Sequence, residues 1–330
     1  MATWSRAKYY YKLNKLNASQ LIIVDTLRFM LVPPPIFILA SPRSFTSLLC
    51  AMLGQHPELY GVPELNLFIA EKLEELVPLN GQRDRKLNAG LLRTVAQVYG
   101  GEQTILSVDM ARRWLINRLQ YNTGEIYLEL CRKVAPLRIV DKSPIYSMKT
   151  EILHRIRHNF PDANYLHLLR HPRTQGQSVM NIADGAIAVY SNSIDYSTDP
   201  PTVDPQFLWY RMQYNILDFL SNVPAVRQMC LHGEDVLNDP RLYFEKICRW
   251  LNISWNDFVF DAILRPQDSP YACFGPYGAD LGNDYNFLQP PIFKQRYIPP
   301  SKLEGSLPWR PDNKEFLPVV IKLAQDLGYQ

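Results

Sequence analysis

The chain has 330 residues and a mass of 38.2 kDa, which is long enough to bury a full core in one large or two smaller domains. Its 35 Lys and Arg residues nearly balance its 32 Asp and Glu residues, so the net charge of +3 gives no reason to expect nucleic-acid binding. The five cysteines lie far apart without a CxxC pair, which argues against a zinc site or disulfide framework and favours free thiols.

Residues 1–34 begin with an aromatic, basic stretch and predict a helix or an extended arm lying on the domain. The most apolar early run, Phe29 to Ala40, is interrupted by Pro33-Pro34-Pro35, so it fits neither a signal peptide nor a membrane span. We therefore expect a soluble cytoplasmic protein in which residues 35–330 form a single domain.

The most informative stretch is PIFILASPRSFTSLLCAML, from Pro35 to Leu53. Ile36 to Leu39 predicts a buried strand, and a helical pattern begins near Thr46. A strand-to-helix junction gathers unpaired backbone N–H groups and the positive end of the helix dipole, which suits a phosphate or sulfate group. An ordinary connection with a surface arginine stays open as the alternative. The side chains that add charge and hydroxyl groups are Arg43, Ser44, Thr46 and Ser47.

The middle of the chain predicts a helical insertion over about residues 65–134, followed by a short strand. The strand is Arg138 to Val140, and Asp141-Lys142-Ser143-Pro144 ends it. The helix-like segments of the insertion are Leu65 to Leu76, Lys86 to Tyr99, Met110 to Leu119 and Gly124 to Val134.

Strands and helices then continue to alternate, since a helix is predicted over Met148 to Phe160 and a buried strand over Tyr165 to Leu169. Such alternation predicts an α/β fold with a central parallel sheet flanked by helices, in a P-loop-like three-layer arrangement. Ligands of parallel sheets bind beyond the carboxyl ends of the strands. Three strand ends therefore direct Arg43, Lys142 and Arg170 toward one crevice.

The last third of the chain predicts one more strand and several helices. Residues 191–206 are rich in Ser, Asp and Pro and predict a loop, a candidate lid, while the tail from Leu264 predicts an irregular segment. A strand is expected over Val226 to Leu231, and helices over Arg173 to Tyr190, Phe207 to Leu220 and Arg241 to Leu251, the last capped by Asn238 or Asp239.

Taken together, these strand ends resemble those of sulfotransferases that use 3′-phosphoadenylyl sulfate (PAPS). SPRSFTSLL, residues 41–49, resembles the loop that this family uses for the 5′-phosphosulfate, commonly written PRSGTTLL, and LLRHPRTQGQS, residues 168–178, resembles its 3′-phosphate strand and helix. DKSP lies between the two motifs and GEDVLNDP, residues 233–240, follows them. Residues 274–288 are similar to the sulfotransferase domains of polyketide assembly lines, which sulfate a β-hydroxyacyl chain.

The resemblance implies a donor site for PAPS without a metal ion. Lys142 would lie near the bridging oxygen, where negative charge develops, although a solvated surface lysine is the alternative. Phe45 stands where the family usually has glycine, so a positive φ at this position would strain it. The loop from Gly275 to Asn283 would add backbone donors to the nucleotide. The donor-binding residues that the resemblance implies are Arg43, Ser44, Phe45, Thr46 and Ser47 for the 5′-phosphosulfate, and Arg170 and Ser178 for the 3′-phosphate.

The acceptor would be an alcohol, small or lipid-like, and is a candidate for presentation by an acyl carrier protein. Among the six histidines, His232 is favoured as the base because it ends a strand on the donor side and imidazole has a suitable pKa. Glu64 is the rival base, or the group that orients His232. An apolar acceptor channel lined by Phe207 to Leu220 and the helical insertion is a further hypothesis, and the oligomeric state stays open.

Two other functions are compatible with parts of this pattern. A P-loop kinase would use Asp109 and Asp141 as magnesium ligands, but the chain contains no Gly-Lys-Ser/Thr motif. A preference for ATP–magnesium over PAPS would favour it. A non-catalytic PAPS-binding module is the second alternative, motivated by Phe45, and donor binding without transfer to any alcohol would favour that interpretation.

Overall fold

A computed structural model of the chain describes residues 32–76, 87–295 and 297–330. Its centre is a five-stranded sheet made of β1 (Ile36–Leu39), β2 (Leu59–Gly61), β3 (Arg138–Asp141), β4 (Asn164–Leu169) and β7 (Gln228–His232). The strand order is β2-β3-β1-β4-β7, and every neighbouring pair is parallel. The carboxyl ends of all five strands therefore lie at one edge.

The two central strands are buried on both faces, as expected for a parallel sheet covered by helices. Alternate side chains of β1 enter different cores: Phe37 and Leu39 pack in one cluster, while Ile36 and Ile38 pack in another. The sheet is thus the middle of three layers, which confirms the predicted P-loop-like α/β fold.

The Phe37 face is covered by five helices: α2 (Ala89–Gly100), α3 (Ile105–Ile116), α4 (Thr123–Val134), α5 (Thr150–Asn159) and α8 (Pro205–Leu220). The Ile36 face is covered by α1 (Thr46–Leu53), α9 (Gly233–Asn238), α10 (Pro240–Leu251) and α11 (Asp257–Ile263). The chain also forms α6 (Pro172–Met180), α7 (Ala186–Tyr190) and α12 (Pro318–Asp326).

Two predicted helices are wrong in part. Leu65 to Leu76 forms only two short 3-10 turns, because Asn66 adopts a left-handed conformation with φ 55° and Lys72 is extended and bridges Asn122. The helix predicted over Arg173 to Tyr190 is two helices, separated at Gly185, where φ is 79°. In the first segment the bridge to Asn122 is a tertiary contact that overrules local helix propensity, whereas the second segment breaks at a left-handed glycine.

The remaining expectations are met closely or fall outside the described residues. Strands β1, β3, β4 and β7 lie within two residues of their predicted bounds, and Asp239 caps α10 by accepting from the Leu242 amide. The short strand β2 is absent from the predicted strands. All five cysteines are free. The predicted arm over residues 1–34 lies almost wholly outside the described part of the chain.

The candidate lid over residues 191–206 contains a small antiparallel hairpin, β5 (Ile194–Asp195) and β6 (Thr202–Val203). The fully buried side chain of Arg310 ties this region to the C-terminal segment. Its carboxylate partners are Asp195 at 2.8 Å, Asp204 at 3.1 Å and Asp312 at 2.6 Å.

Candidate active site

The loop between β1 and α1 turns sharply at the carboxyl edge of the sheet. Two of its residues have a left-handed backbone, Arg43 with φ 67° and Phe45 with φ 62°. A left-handed backbone costs a non-glycine residue about 1–2 kcal/mol, so the expectation that a positive φ would strain Phe45 applies here. The loop leads directly into the first turn of α1, whose N–H groups have no intrahelical partners. Ser44, Thr46 and Ser47 are buried around this turn.

The two arginines predicted to bind the donor meet at this loop. Arg43 Nε donates to Ser178 Oγ at 3.2 Å, and Arg170 Nη1 donates to the Arg43 carbonyl at 2.6 Å. Arg170 also donates to Thr174 Oγ1 at 3.2 Å and lies over the Phe45 ring, with Cζ 4.4 Å from the ring centroid. The strand end, the loop and α6 therefore form one cationic site.

Lys142 follows β3 and has a fully buried side chain. Its ammonium group donates to Ser47 Oγ at 2.9 Å and to Glu64 Oε1 at 2.7 Å. Ser47 lies in the first turn of α1, directly after the β1–α1 loop, whereas Glu64 follows β2 and is about one third exposed. A buried ammonium group thus joins this loop to a partly exposed carboxylate.

The neighbouring Asp141 is a buried carboxyl group that faces its own set of donors. It accepts hydrogen bonds from the Ser143 amide, the Ser143 hydroxyl and Tyr146 Oη at 2.8–3.1 Å. Burial nevertheless raises the pKa of Asp141 to about 6, because these hydrogen bonds and the nearby Lys142 charge only partly offset desolvation. Asp141 therefore anchors the turn that carries Lys142.

Residues 34–257, about two thirds of the chain, match the model of a family described as the sulfotransferase family. The chain belongs to the sulfotransferase family. It is accordingly an enzyme of the transferase class, and the resemblance inferred from its loop motifs is confirmed. A comparison with curated proteins gives no match.

Two solved structures extend this likeness over most of the chain. The sulfotransferase domain from the curacin biosynthetic pathway is 25% identical, with a TM-score of 0.71, and the match covers 90% of this chain and 98% of that domain. The sulfotransferase domain from the Synechococcus PCC 7002 olefin synthase is 26% identical, with a TM-score of 0.66, covering 90% and 95%. The expected similarity to sulfotransferase domains of biosynthetic assembly lines is thereby confirmed.

In this sulfotransferase His232 lies apart from the Lys142–Glu64 pair. It ends β7, which is three strand positions from β3 in the sheet, or roughly 14 Å at the usual strand spacing. Its Nε2 is 2.7 Å from the Leu327 carbonyl, its Nδ1 is 3.3 Å from Asp235, and its ring packs on Tyr329. His232 is therefore held by the C-terminal segment, and its role as the base stays a prediction.

Sequence reasoning missed one charged residue of the site, Asp284. Its carboxylate pairs with the Arg43 guanidinium, and its backbone amide donates to Ser47 Oγ at 3.2 Å. Asp284 directly follows the Gly275 to Asn283 loop, for which only backbone donors were expected. The sequence signal that could have pointed to it is the Gly282-Asn283-Asp284 run within residues 274–288, which ends in a charged residue.

The site combines cations with carboxyl groups. The cations are Arg43, Lys142 and Arg170, and the carboxyl groups are those of Glu64, Asp284 and the buried Asp141. Burial lowers the pKa of Arg43, and the charge of Glu64 partly offsets this effect, so the two groups lie within electrostatic reach. Cations, hydroxyl groups and a helix start provide the contacts that an anionic nucleotide requires.

Within residues 32–76, 87–295 and 297–330, no group of three or more His, Cys, Asp or Glu side chains could hold a metal ion. None of the helices in the same ranges is both long and apolar enough to cross a membrane.

Proposed function

We propose that this sulfotransferase moves a sulfuryl group from PAPS to the hydroxyl of an alcohol acceptor. The observation that carries the proposal is the position of Lys142, whose ammonium group contacts both Ser47 and Glu64. A lysine in this position can stabilise the charge of the leaving phosphate on one side, while the carboxylate beside it faces the acceptor.

The donor would bind across the β1–α1 loop. Ser44, Thr46, Ser47, the Arg43 side chain and the backbone at Phe45 would hold the 5′-phosphosulfate, while Arg170 and Ser178 would hold the 3′-phosphate. The contacts among Arg43, Ser178 and Arg170 support this assignment, because they bring both anion-binding motifs to one site. Arginine suits a phosphate through paired N–H donors.

In the proposed reaction the acceptor oxygen forms a bond to sulfur as the bond between sulfur and the bridging phosphate oxygen breaks. The acceptor hydroxyl loses its proton, and the electron pair of the broken bond stays on the departing nucleotide, 3′-phosphoadenosine 5′-phosphate (PAP). Lys142 would stabilise the negative charge that develops on the bridging oxygen. Positioning and electrostatic stabilisation would account for most of the acceleration, as in phosphoryl transfer.

We further propose Glu64 as the base that takes the acceptor proton. Its carboxylate contacts Lys142 and is about one third exposed, so an acceptor could reach it from solvent. His232 is the competing candidate, but its two ring nitrogens face Leu327 and Asp235. When the donor draws Lys142 toward the phosphosulfate, Glu64 would be released to accept a proton.

The acceptor we propose is a β-hydroxyacyl chain presented by an acyl carrier protein. Support comes from the similarity to domains of the curacin pathway and of an olefin synthase, together with the resemblance of residues 274–288 to polyketide sulfotransferase domains.

The test is transfer of labelled sulfate from PAPS to a panel of alcohols, including a β-hydroxyacyl thioester on a carrier protein. We expect Glu64→Gln to lower the transfer rate at least a hundredfold with PAP affinity nearly unchanged, in line with the loss of a general base. Glu71→Gln is the matched control, because Glu71 pairs with Arg155 at the surface. His232→Gln should keep most of the activity. If His232→Gln is inactive while Glu64→Gln stays active, His232 is the base. If the wild type binds PAP but transfers sulfate to no alcohol, the protein is a binding module.

A further inference from the structure

The side chain of Phe45 occupies a position for which backbone geometry favours glycine. Its φ of 62° and ψ of 9° are left-handed, and its ring is half-buried in the donor loop. A residue that keeps a large side chain under these conditions must gain from contacts of that side chain. The contacts of the ring therefore indicate what Phe45 does.

The ring of Phe45 lies between two elements of the proposed donor site. Its face is covered by the Arg170 guanidinium, with Cζ 4.4 Å from the centroid, which is cation–π geometry. Its edge approaches Gly233 at the start of α9, where a Cβ atom would lie only 2.6 Å from Cδ2 of the ring. Gly233 thus provides the space in which the ring stands.

Arg170 also makes hydrogen bonds to the donor loop and to α6. Nη1 donates to the Arg43 carbonyl and Nε donates to Thr174 Oγ1, both from the edge of the guanidinium plane. The Phe45 ring supports one face of that plane. A glycine at position 45 would remove this support and leave a gap between Arg170 and Gly233.

We propose that Phe45 is a positioning residue that holds Arg170 in the orientation needed for the 3′-phosphate of the donor. This inference rests on the proposed function, in which Arg170 binds that phosphate. Phe45 thereby sets how strongly the enzyme prefers a nucleotide with a 3′-phosphate over one without it. With phenylalanine instead of glycine at this loop position, the side chain contributes to donor specificity.

The test compares the affinities of the full chain for PAP and for adenosine 5′-phosphate, which lacks the 3′-phosphate, by calorimetry. Phe45→Leu and Phe45→Tyr form a matched pair: both keep a left-handed non-glycine residue, but only tyrosine keeps an aromatic face. We expect Phe45→Leu to weaken PAP binding about tenfold and adenosine 5′-phosphate binding less than twofold. Phe45→Tyr should retain the preference of the wild type.

Two further variants make the result decisive. Phe45→Gly relieves the left-handed strain while removing the ring, so it should fold and also lose the preference. Arg170→Met tests the donor assignment itself. If Arg170→Met lowers the preference but Phe45→Leu and Phe45→Gly do not, the role of Phe45 is wrong while the proposed function stands. If Arg170→Met leaves the preference intact, or the wild type has none, the assignment of the 3′-phosphate site is wrong and the role of Phe45 falls with it.

Discussion

Replacing Asp284 with asparagine should strengthen donor binding. The Asp284 carboxylate pairs with Arg43, a residue of the proposed 5′-phosphosulfate site, so a bound donor and this carboxylate would compete for one guanidinium group. The variant keeps the size of the side chain and the amide that donates to Ser47. It removes only the negative charge next to the anion site.

The expected magnitude follows from how buried the pair is. The Arg43 and Asp284 side chains are 10% and 22% exposed, so the pair is screened less than a surface ion pair but is not fully desolvated. Charge-assisted hydrogen bonds contribute about 1.5–3 kcal/mol, and a partly exposed pair belongs at the lower end. If donor binding must break this contact, its removal lowers the apparent Kd for PAP about tenfold, since 1.4 kcal/mol corresponds to a factor of ten.

The assay is calorimetric titration of the full chain with PAP at two salt concentrations. Asp280→Asn is the matched control, because Asp280 lies in the same loop with its side chain exposed to solvent. The control should bind PAP with wild-type affinity, since it makes the same charge change away from Arg43. Weaker PAP binding by Asp284→Asn would refute the reasoning, because it would mean that the carboxylate holds Arg43 in place or contacts the donor directly.

Two further predictions concern stability. The pKa of Asp141 is raised from 3.8 to about 6, so protonated Asp141 contributes fully to the free energy of unfolding below about pH 4, and this contribution is lost as the pH rises through 6. The Asn side chain does not titrate, so the free energy of unfolding of Asp141→Asn, measured with urea, should rise by about 3 kcal/mol relative to that of the wild type between about pH 4 and pH 7. A difference between the two proteins that does not change with pH would contradict the raised pKa. Arg310→Met should lower the free energy of unfolding by about 3–5 kcal/mol, since it leaves the buried Asp204 carboxylate without its cation, whereas Asp195 and Asp312 keep Lys314. Arg249→Met is the exposed control, expected to cost under about 1 kcal/mol, and equal losses in the two variants would refute the anchoring role of Arg310.

The meeting of the cationic residues could be predicted from the sequence because parallel strands end at one edge of a sheet. Arg43, Lys142 and Arg170 each follow a strand that is recognisable from its short apolar run. Their convergence follows from the fold class and needs no knowledge of the loops.

The relation between His232 and Lys142 could not be predicted, because strand order is not visible in a list of strands. A strand that ends in His232 could lie beside β3 or beyond β4, and only the observed order places it at the outer edge. β2 has just three residues, too few for a clear periodic pattern, so the strand that brings Glu64 beside Lys142 was missed as well.

The contact between Asp284 and Arg43 could not be predicted for a different reason, because the two residues are 241 positions apart in the chain. Its placement depends on a loop without regular structure, whose path is set by single contacts. The buried guanidinium of Arg93 fixes this loop by donating to the Leu281 carbonyl at 2.8 Å. No short-range pattern in the sequence records such a contact.

The same loop joins the donor side of the site to the acceptor side. Gly282, whose φ is 90°, accepts the Glu64 amide at 2.8 Å, and Asp284 pairs with Arg43 two residues later. The backbone that carries the Asp284 side chain is therefore bonded to the backbone of the proposed base. Because Arg93 anchors the loop at Leu281, a backbone movement that accompanied displacement of the Asp284 carboxylate would be confined to the residues that follow this anchor. Such a movement would reach Glu64 through Gly282, and donor binding would also act on Glu64 through Lys142, so two routes would couple the donor side to the acceptor side.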